Sequence, residues 1–406
     1  MIVRNITMLG HKDHGKSTLI GSMLMLTNSV TKARIREAKV YSKKLHKSFE
    51  PAFILDSFHE ERTGGLTIDI TRAEIPYRDV AFSFIDVPGH EELIKNMISG
   101  ASYASTALLL VSAKKDEGIR DQTKRHLYIA RMLGIRNLVV AVNKMDTVRY
   151  KEARFSEMRD GLLPFINKIG FEEDAVKFVP ISAYRGEGIV SKSGNMKWYK
   201  GEPLIETLYA MSADESNDSF GPVRVILQGF LDGKKDLIVG KLVRGTLREG
   251  ENDICTIPQN ERIKVKGIIV NGKRVKKAVA GEPVALRLDK KISGEARGSI
   301  ICGFLYCPIP KSTITARIFL TERLGKDLSI KFNGIDLPVK SIKVNRYIDT
   351  TTGEASSKKA IEPLNAADAT ISLESKVPVE KFDETRELGR FVLYSRGKFA
   401  GIGTVQ

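Results

Sequence analysis

The chain has 406 residues, which is enough for two or three domains of ordinary size and excludes a single small binding module. Its 65 Lys and Arg residues outnumber its 49 Asp and Glu residues, and the resulting net charge of +16 favours a polyanionic partner. A content of 42% hydrophobic and 28% charged residues is typical of a globular protein and excludes a disordered or collagen-like chain.

The three cysteines, Cys255, Cys302 and Cys307, are too few for a disulfide framework, so we expect buried, unpaired thiols in a reducing cytoplasm. A zinc site is not expected, because no histidine follows His126 to complete a ligand set. The N-terminus lacks a signal-peptide pattern, and no apolar run approaches the roughly 18 residues that cross a membrane. We therefore expect a cytoplasmic protein without a membrane segment.

Up to residue 210, apolar β-branched runs alternate with longer stretches of helical periodicity. The runs include IVRNITML, AFSFIDV, TALLLVSA, NLVVAVNK and VKFVPISA. This alternation predicts an α/β domain over residues 1–210, with a parallel-rich sheet and helices on both faces. The polar, turn-rich segment MSADESNDSFG, residues 211–221, indicates a linker.

After the linker, short strands separated by Gly, Asn and Asp turns predict β-barrels. A seam near CPIPKS divides this part into one barrel at 222–306 and a second at 307–406. Ten Lys and Arg residues between 262 and 291 outnumber two acidic ones, and strand alternation places them on one outer face. That face is either a surface for phosphates or a solvated face.

The segment GHKDHGKS, residues 10–17, fits the phosphate-loop pattern G-x-x-x-x-G-K-[ST] between a strand and a helix. Backbone N–H groups of this loop wrap phosphates, Lys16 reaches the β and γ oxygens, and the Ser17 hydroxyl ligates Mg²⁺. The two histidines are expected to shape the loop and not to bind a metal. The predicted phosphate-site residues are His11, Lys12, Asp13, His14, Gly15, Lys16, Ser17 and Thr18.

Three further motifs follow predicted strands. In DVPGH, Asp86 can hold Mg²⁺ through water, and the Gly89 N–H can contact the γ-phosphate. In NKMD, formed by Asn143, Lys144, Met145 and Asp146, the Asp146 carboxylate accepts both N–H groups that guanine offers and adenine lacks. The segment SAY, formed by Ser182, Ala183 and Tyr184, supplies backbone contacts to guanine O6. Together these motifs predict a site for GTP and GDP.

The order and spacing of these motifs resemble the translational GTPases, the superfamily of elongation factor Tu and elongation factor 1-alpha. The resemblance covers nearly the whole chain. The second-domain strand and turn of the family are similar to LIVGKLVRGTLREGE. Elongation factor 1-alpha and the release and ribosome-rescue GTPases are similar to the C-terminal segment ETRELGRFVLYSRGKFAGIGTV. The resemblance implies a P-loop GTPase domain followed by two β-barrel domains.

The resemblance also implies roles for individual residues. The segment EERTGGLTID is similar to switch I, so Thr67 matches a Mg²⁺ ligand beside Ser17 and Asp86, and His90 matches the histidine that positions the attacking water. It implies a monomeric GTPase that delivers aminoacyl-tRNA or a tRNA-shaped protein to the ribosome. The segments 126–146 and 194–208 equally resemble the GTPase subunit of ATP sulfurylase, so a regulatory subunit of sulfate adenylyltransferase stays open.

Two departures from the family pattern bear on function. Lys12 stands where elongation factors usually have a valine that forms an apolar gate with a residue such as Leu66. LDGKKD, residues 231–236, replaces a glycine-rich loop of the aminoacyl-tRNA carriers. A specialised paralogue with altered or no aminoacyl-tRNA binding is therefore a further alternative.

Overall fold

The computed structural model describes residues 2–44, 46, 49–55, 71–86, 104–213, 219–231, 233–358 and 360–406, with their side chains except those of residues 12, 71, 72, 86, 234 and 235. The chain divides into two compact units. The first comprises Met1–Glu215 and Thr350–Gly353, and the second comprises Ser216–Asp349 and Glu354–Gln406.

The first unit is built on a six-stranded sheet with the strand order β2-β3-β1-β4-β5-β6. All neighbours in it run parallel except β2 and β3, which are antiparallel. The strands are β1 (Ile2–Gly10), β2 (Thr71–Tyr77), β3 (Val80–Asp86), β4 (Thr106–Ser112), β5 (Asn137–Asn143) and β6 (Val176–Pro180).

Five helices with defined bounds accompany this sheet. They are α1 (Lys16–Leu26), α2 (Lys32–Lys44), α3 (Asp121–Met132), α4 (Glu152–Lys168) and α5 (Leu204–Met211). Only Ala38 and Ser42 are buried in α2, which agrees with the basic, polar sequence of that helix. Among the helices of the described residues, none has the length and apolarity required to cross a bilayer.

Strand alternation shows that both faces of the sheet are covered. Every residue of β4 is buried, yet only Leu108 and Leu110 join the core cluster that contains Leu19, Ile20 and Met23 of α1. Successive side chains of a strand point to opposite faces, so Ala107 and Leu109 are buried on the other side. The prediction of a parallel-rich sheet with helices on both faces is confirmed, and the carboxyl ends of its parallel strands lie at one edge.

The second unit begins with an eight-stranded antiparallel sheet, in the order β11-β10-β16-β7-β8-β15-β12-β13, and a short β14–β9 pair. Its apolar core includes Leu227, Ile238, Leu247 and Ile268. The strands are β7 (Arg224–Leu231), β8 (Lys234–Arg244), β9 (Thr246–Arg248), β10 (Ile254–Ile257), β11 (Glu261–Ile263), β12 (Val265–Val270), β13 (Lys273–Val275), β14 (Lys277–Val279), β15 (Pro283–Leu288) and β16 (Ile300–Gly303).

The C-terminal strands form a closed barrel. The sheet order is β18-β22-β23-β17-β21-β19-β20, and an additional β18–β19 pairing closes six of these strands around a core that includes Ile318, Ile371 and Leu393. The strands are β17 (Pro310–Leu320), β18 (Leu328–Phe332), β19 (Ile335–Ile348), β20 (Ala355–Ser356), β21 (Ala366–Pro378), β22 (Arg390–Ser395) and β23 (Lys398–Val405). The predicted succession of an α/β domain and β-barrels is thus confirmed.

The expectation of unpaired thiols was wrong. Cys302 and Cys307 form a disulfide, and only Cys255 is free. A 3-10 turn over Phe304–Tyr306 reverses the chain after β16 and brings the two Cα atoms to 5.4 Å, which is in the usual range for a disulfide.

Candidate nucleotide-binding site

The phosphate loop lies where β1 ends and α1 begins. A 3-10 turn over Lys12–His14 joins Gly10 to Gly15, which has a φ of 90°. A Cβ atom on Gly15 would lie 2.6 Å from the side-chain nitrogen of Asn143, and one on Gly10 would lie 2.7 Å from the Leu110 carbonyl oxygen. Both glycines are therefore needed because another part of the chain approaches closely.

The Lys16 ammonium is held inside this loop. Its side chain is buried, with 8% of the residue exposed, and Nζ donates to the carbonyl oxygens of Gly10 at 3.0 Å and His11 at 3.3 Å. Ser17 follows in the first turn of α1 and is exposed. The loop thus presents a lysine, a hydroxyl and the N-terminal N–H groups of a helix, which is the donor set that phosphates require.

His14 has a structural role in the loop. Its ring is buried, and Nδ1 lies 3.0 Å from the Leu110 carbonyl oxygen of β4. Burial lowers its pKa, so the ring is neutral at pH 7 and Nδ1–H donates to Leu110. Nε2 is buried and has no hydrogen-bond partner within the described part of the chain. These contacts support the prediction that His14 shapes the loop.

Asn143, the last residue of β5, joins two of the predicted motifs. Its Nδ2 donates to the His14 carbonyl oxygen at 2.9 Å, and its Oδ1 accepts from the Ala183 backbone N–H at 2.9 Å. The Ser22 hydroxyl of α1 donates to the Ala183 carbonyl oxygen. The phosphate loop and the SAY segment are therefore fastened to each other through buried polar groups.

The rest of the NKMD motif is held by charge and by backbone geometry. Lys144 has a left-handed backbone with a φ of 62°, and its Nζ lies 2.7 Å from a Glu117 carboxylate oxygen. Burial alone would raise the pKa of Glu117, but hydrogen bonds from Lys144, Ser112 and Lys114 outweigh it and lower the pKa to about 2. The Asp146 Oδ1 accepts from the Ser182 hydroxyl at 2.6 Å, which orients that carboxylate.

A second layer behind the SAY segment was not predicted from the sequence. The Glu187 carboxylate accepts from the Tyr150 hydroxyl at 3.1 Å, from the Asn195 side chain at 2.9 Å and from the Ser193 hydroxyl. The Trp198 indole N–H donates to the Tyr150 carbonyl oxygen at 2.9 Å. Burial, followed by the hydrogen bond to Glu187, raises the pKa of Tyr150 to about 12. The network keeps the loop after β6 against the loop after β5.

These segments enclose a cavity of about 460 Å³, a volume suited to a small ligand. Predicted site residues in its wall are Asp13, Gly15, Lys16, Ser17, Thr18, Asn143, Lys144, Asp146, Ala183 and Tyr184. Glu50 and Thr147 also line it and were missed, because neither belongs to a motif with a recognisable spacing. Thr67, Gly89 and His90 lie outside the described residues, as do the side chains of Lys12 and Asp86.

The arrangement fits a guanine nucleotide. Phosphate-loop residues, Asp146 and Ala183 all line the same cavity. Among the three predicted Mg²⁺ ligands, Ser17 is the one whose side chain is described, and this residue lines the cavity.

Comparison with known proteins agrees with this geometry. Residues 1–216 match the family described as "Elongation factor Tu GTP binding domain", and residues 313–406 match "GTP-eEF1A C-terminal domain-like". The first match alone covers more than half of the chain.

Curated relatives are similar over nearly their full length. Elongation factor 1-alpha of Methanoculleus marisnigri is 30% identical over 98% of this chain and 96% of its own. The same factor of Aeropyrum pernix is 32% identical over 99% of this chain and 95% of its own, and that of Sulfurisphaera tokodaii is 33% identical over 99% and 96%.

Among solved structures, Sup35 complexed with GDP aligns with all of this chain and 93% of that chain, at 24% identity and a TM-score of 0.43, which is too low to add to the assignment. The assignment follows from the family match and the curated relatives. The chain therefore belongs to the translational GTPase family of elongation factor Tu and elongation factor 1-alpha, and it is a GTPase.

Proposed function

We propose that this GTPase carries an aminoacyl-tRNA or a tRNA-shaped protein to the ribosome and releases it when GTP is hydrolysed. The observation that carries the proposal is the cavity at the β1, β5 and β6 ends, which joins a phosphate loop to a guanine-selective carboxylate. The similarity to elongation factors 1-alpha over nearly the whole chain supports a role in translation.

The described residues account for binding and selection of the nucleotide. Lys16 and the loop N–H groups hold the phosphates, the Asp146 carboxylate accepts from guanine, and Ala183 supplies a backbone contact. Mg²⁺, held by Ser17, Thr67 and, through water, Asp86, would neutralise charge on the β and γ oxygens. His90 would position the attacking water, and Gly89 would contact the γ-phosphate. GTP would order the segments around Thr67 and Gly89, and loss of the γ-phosphate would release them.

A high density of exposed cations between residues 262 and 291 supports an RNA-containing partner. On β11 to β15 and the adjoining loops, buried apolar residues such as Ile263, Val265 and Ile268 alternate with exposed cations. All ten predicted cationic residues are exposed: Arg262, Lys264, Lys266, Lys273, Arg274, Lys276, Lys277, Arg287, Lys290 and Lys291. Cations arranged in this way bind phosphates and release counterions, so the affinity falls as salt rises.

The proposal includes a cytoplasmic, monomeric protein with a G domain at 1–210, a linker at 211–221 and barrels at 222–306 and 307–406. Lys12 and the segment 231–236 leave the cargo open between an aminoacyl-tRNA and a tRNA-shaped protein, as in a specialised paralogue.

Ribosome-stimulated hydrolysis tests the proposal. GTP turnover by the purified protein is measured alone and with ribosomes, with and without aminoacyl-tRNA, across a series of salt concentrations. We expect strong stimulation that falls steeply with salt, and loss of stimulation in His90→Ala but not in the control His46→Ala. Turnover that ribosomes do not change, or that His90→Ala leaves intact, contradicts the proposal.

Base selection is tested by Asp146→Asn. An amide in place of the carboxylate offers a donor to the second carbonyl of xanthine and loses the acceptor for guanine, so preference should shift from GTP to XTP. The control is Asp160→Asn, an exposed change on α4. An unchanged GTP preference in Asp146→Asn would rule out this role of the carboxylate, whatever the outcome with ribosomes.

A further inference from the structure

Three cysteine side chains converge in the second unit. Cys255 of β10 and Cys302 of β16 are direct partners across two antiparallel strands, and the turn after β16 returns Cys307 to the same place. The Sγ atoms of all three lie within 4.8 Å of one another. Cys255 and Cys302 are buried against Ile257, Ile300 and Leu388, among other apolar residues. Three soft ligand atoms therefore meet in one apolar pocket.

A disulfide accounts for only two of these sulfurs. Cys302 and Cys307 are bonded, while the Cys255 Sγ remains 2.7 Å from the Cys307 Sγ and 3.8 Å from the Cys302 Sγ. When thiols are kept reduced, as in most intracellular proteins, all three become available as donors. Soft thiolates favour zinc, copper(I) and iron–sulfur clusters, and zinc takes them without redox chemistry.

The cross-strand pair already has the spacing of two ligands of one ion. Zinc–thiolate bonds of about 2.3 Å at tetrahedral angles place two sulfurs about 3.8 Å apart, which is the Cys255–Cys302 separation of 3.8 Å. The Cys307 Sγ now lies 2.7 Å from the Cys255 Sγ. Reduction of the disulfide allows these two sulfurs to move apart to a similar separation of about 3.8 Å. The loop that carries Cys307 has exposed Leu305 and Ile309, so this small shift disturbs little packing.

The fourth position has space beside it. Cys307 lines a cavity of about 610 Å³ between the two barrels, and Glu380 lines the same cavity. The Glu380 Oε1 accepts from Arg224 at 2.6 Å, whereas its buried Oε2 has no hydrogen-bond partner among the described residues. A water molecule bound to a metal ion in this cavity would supply the hydrogen bond that Glu380 Oε2 lacks.

We propose that Cys255, Cys302 and Cys307 bind one Zn²⁺ ion in the reduced protein, with the fourth coordination position open to the cavity between the barrels. The site lies outside the nucleotide-binding cavity, and none of its ligands belongs to the GTPase motifs. The site links β10, β16 and the start of the C-terminal barrel, so a bound ion would cross-link segments that are distant in the sequence.

The test uses the full-length protein, reduced with a phosphine under anaerobic conditions, loaded with Zn²⁺, desalted and analysed for metal. We expect about one zinc per chain, and with Co²⁺ the visible absorption of a tetrahedral thiolate site. Cys307→Ala, which changes a half-buried loop residue, should weaken zinc binding by at least tenfold. The control Leu305→Ser alters the same loop without removing a sulfur and should bind zinc as the unaltered chain does.

Two results overturn the proposal. One is reduced protein that retains no zinc after desalting, which shows that the three free thiols do not hold the ion. The other is zinc retained equally by Cys307→Ala and Cys255→Ser, which places the ion elsewhere. GTP turnover of Cys307→Ala is measured in parallel and should be unchanged, so that failure of the zinc site is distinguished from failure of the proposed GTPase cycle.

Discussion

Removal of the Asn143 amide should disconnect two nucleotide-binding segments at once. Asn143→Ala leaves the His14 carbonyl oxygen and the Ala183 N–H without their 2.9 Å partners. A buried polar group that loses its partner costs about 1–3 kcal/mol. Since water from the neighbouring cavity can replace part of each contact, we expect a total loss of about 3 kcal/mol.

That free energy should appear mainly as lost nucleotide affinity, because both unpaired groups belong to segments that hold the ligand. A loss of about 3 kcal/mol corresponds to a little more than a hundredfold increase in Kd. Titration with a fluorescent GDP analogue measures this change.

The control for this prediction lies on the same strand. Asn137 begins β5, and its Nδ2 donates to the Met211 carbonyl oxygen at 2.7 Å, at the end of the strand opposite Asn143. Asn137→Ala should lower stability and leave the GDP affinity unchanged. If Asn143→Ala binds GDP within threefold of the unaltered protein, or if both variants lose affinity equally, the bridging role assigned to Asn143 is incorrect.

Two further predictions concern Gly15, in the cavity wall, and Glu117, the ion-pair partner of the wall residue Lys144. Gly15→Ala should lower GDP affinity at least tenfold, because φ is 90° and the new Cβ would lie 2.6 Å from the Asn143 side chain. The control Gly118→Ala, at a φ of 42° with nothing within 4 Å of the new Cβ, should leave the affinity unchanged. Equal GDP affinities of the two variants in a titration would contradict this prediction. Glu117→Gln should lower the free energy of unfolding at pH 7 by about 3 kcal/mol, because burial raises the carboxyl pKa but the hydrogen bonds from Lys144 and its neighbours hold it at about 2 instead of 4.5. A carboxyl whose pKa is lower in the folded state stabilises the protein above pH 4.5, and this stabilisation is lost as the pH falls towards 2. Urea unfolding midpoints of the unaltered protein and Glu117→Gln, followed by the fluorescence of Trp198, the one tryptophan of the chain, should therefore differ at pH 7 and converge in acid.

The sequence was sufficient to locate the ends of the parallel strands and the motifs that follow them. Hydrophobic runs end at Gly10, Asn143 and Pro180 in the structure, and the predicted phosphate and guanine segments begin at or near those points. Such features are local, because a buried strand and the turn after it are encoded by consecutive residues. This locality explains why most residues of the cavity wall could be named before their arrangement was known, whereas Glu50 and Thr147 were missed.

Contacts between distant residues could not be predicted in this way. Glu117 pairs with Lys144 across 27 positions, and Cys255 meets Cys302 across 47. Neither pair has a spacing that a single sequence reveals, since the register of β10 against β16 depends on the packing of the whole sheet. A zinc site was not expected from the sequence because no histidine follows His126, whereas strand pairing brings the Cys255 sulfur to 3.8 Å from the Cys302 sulfur.

Asn143 shows how one motif residue can be recognised for one reason and act for another. The sequence identifies it as part of a guanine-binding motif, yet both of its described hydrogen bonds go to the protein backbone. A rigid bridge between the phosphate loop and the SAY segment keeps the cavity near its binding shape before the nucleotide arrives, and less ordering entropy is then lost on binding. The Ser22 contact to Ala183 acts in the same direction from α1. In the proposed cycle, selectivity for guanine depends on the positions of the loops as well as on the Asp146 carboxylate, because that carboxylate would accept two N–H groups only where the opposite segment places the base.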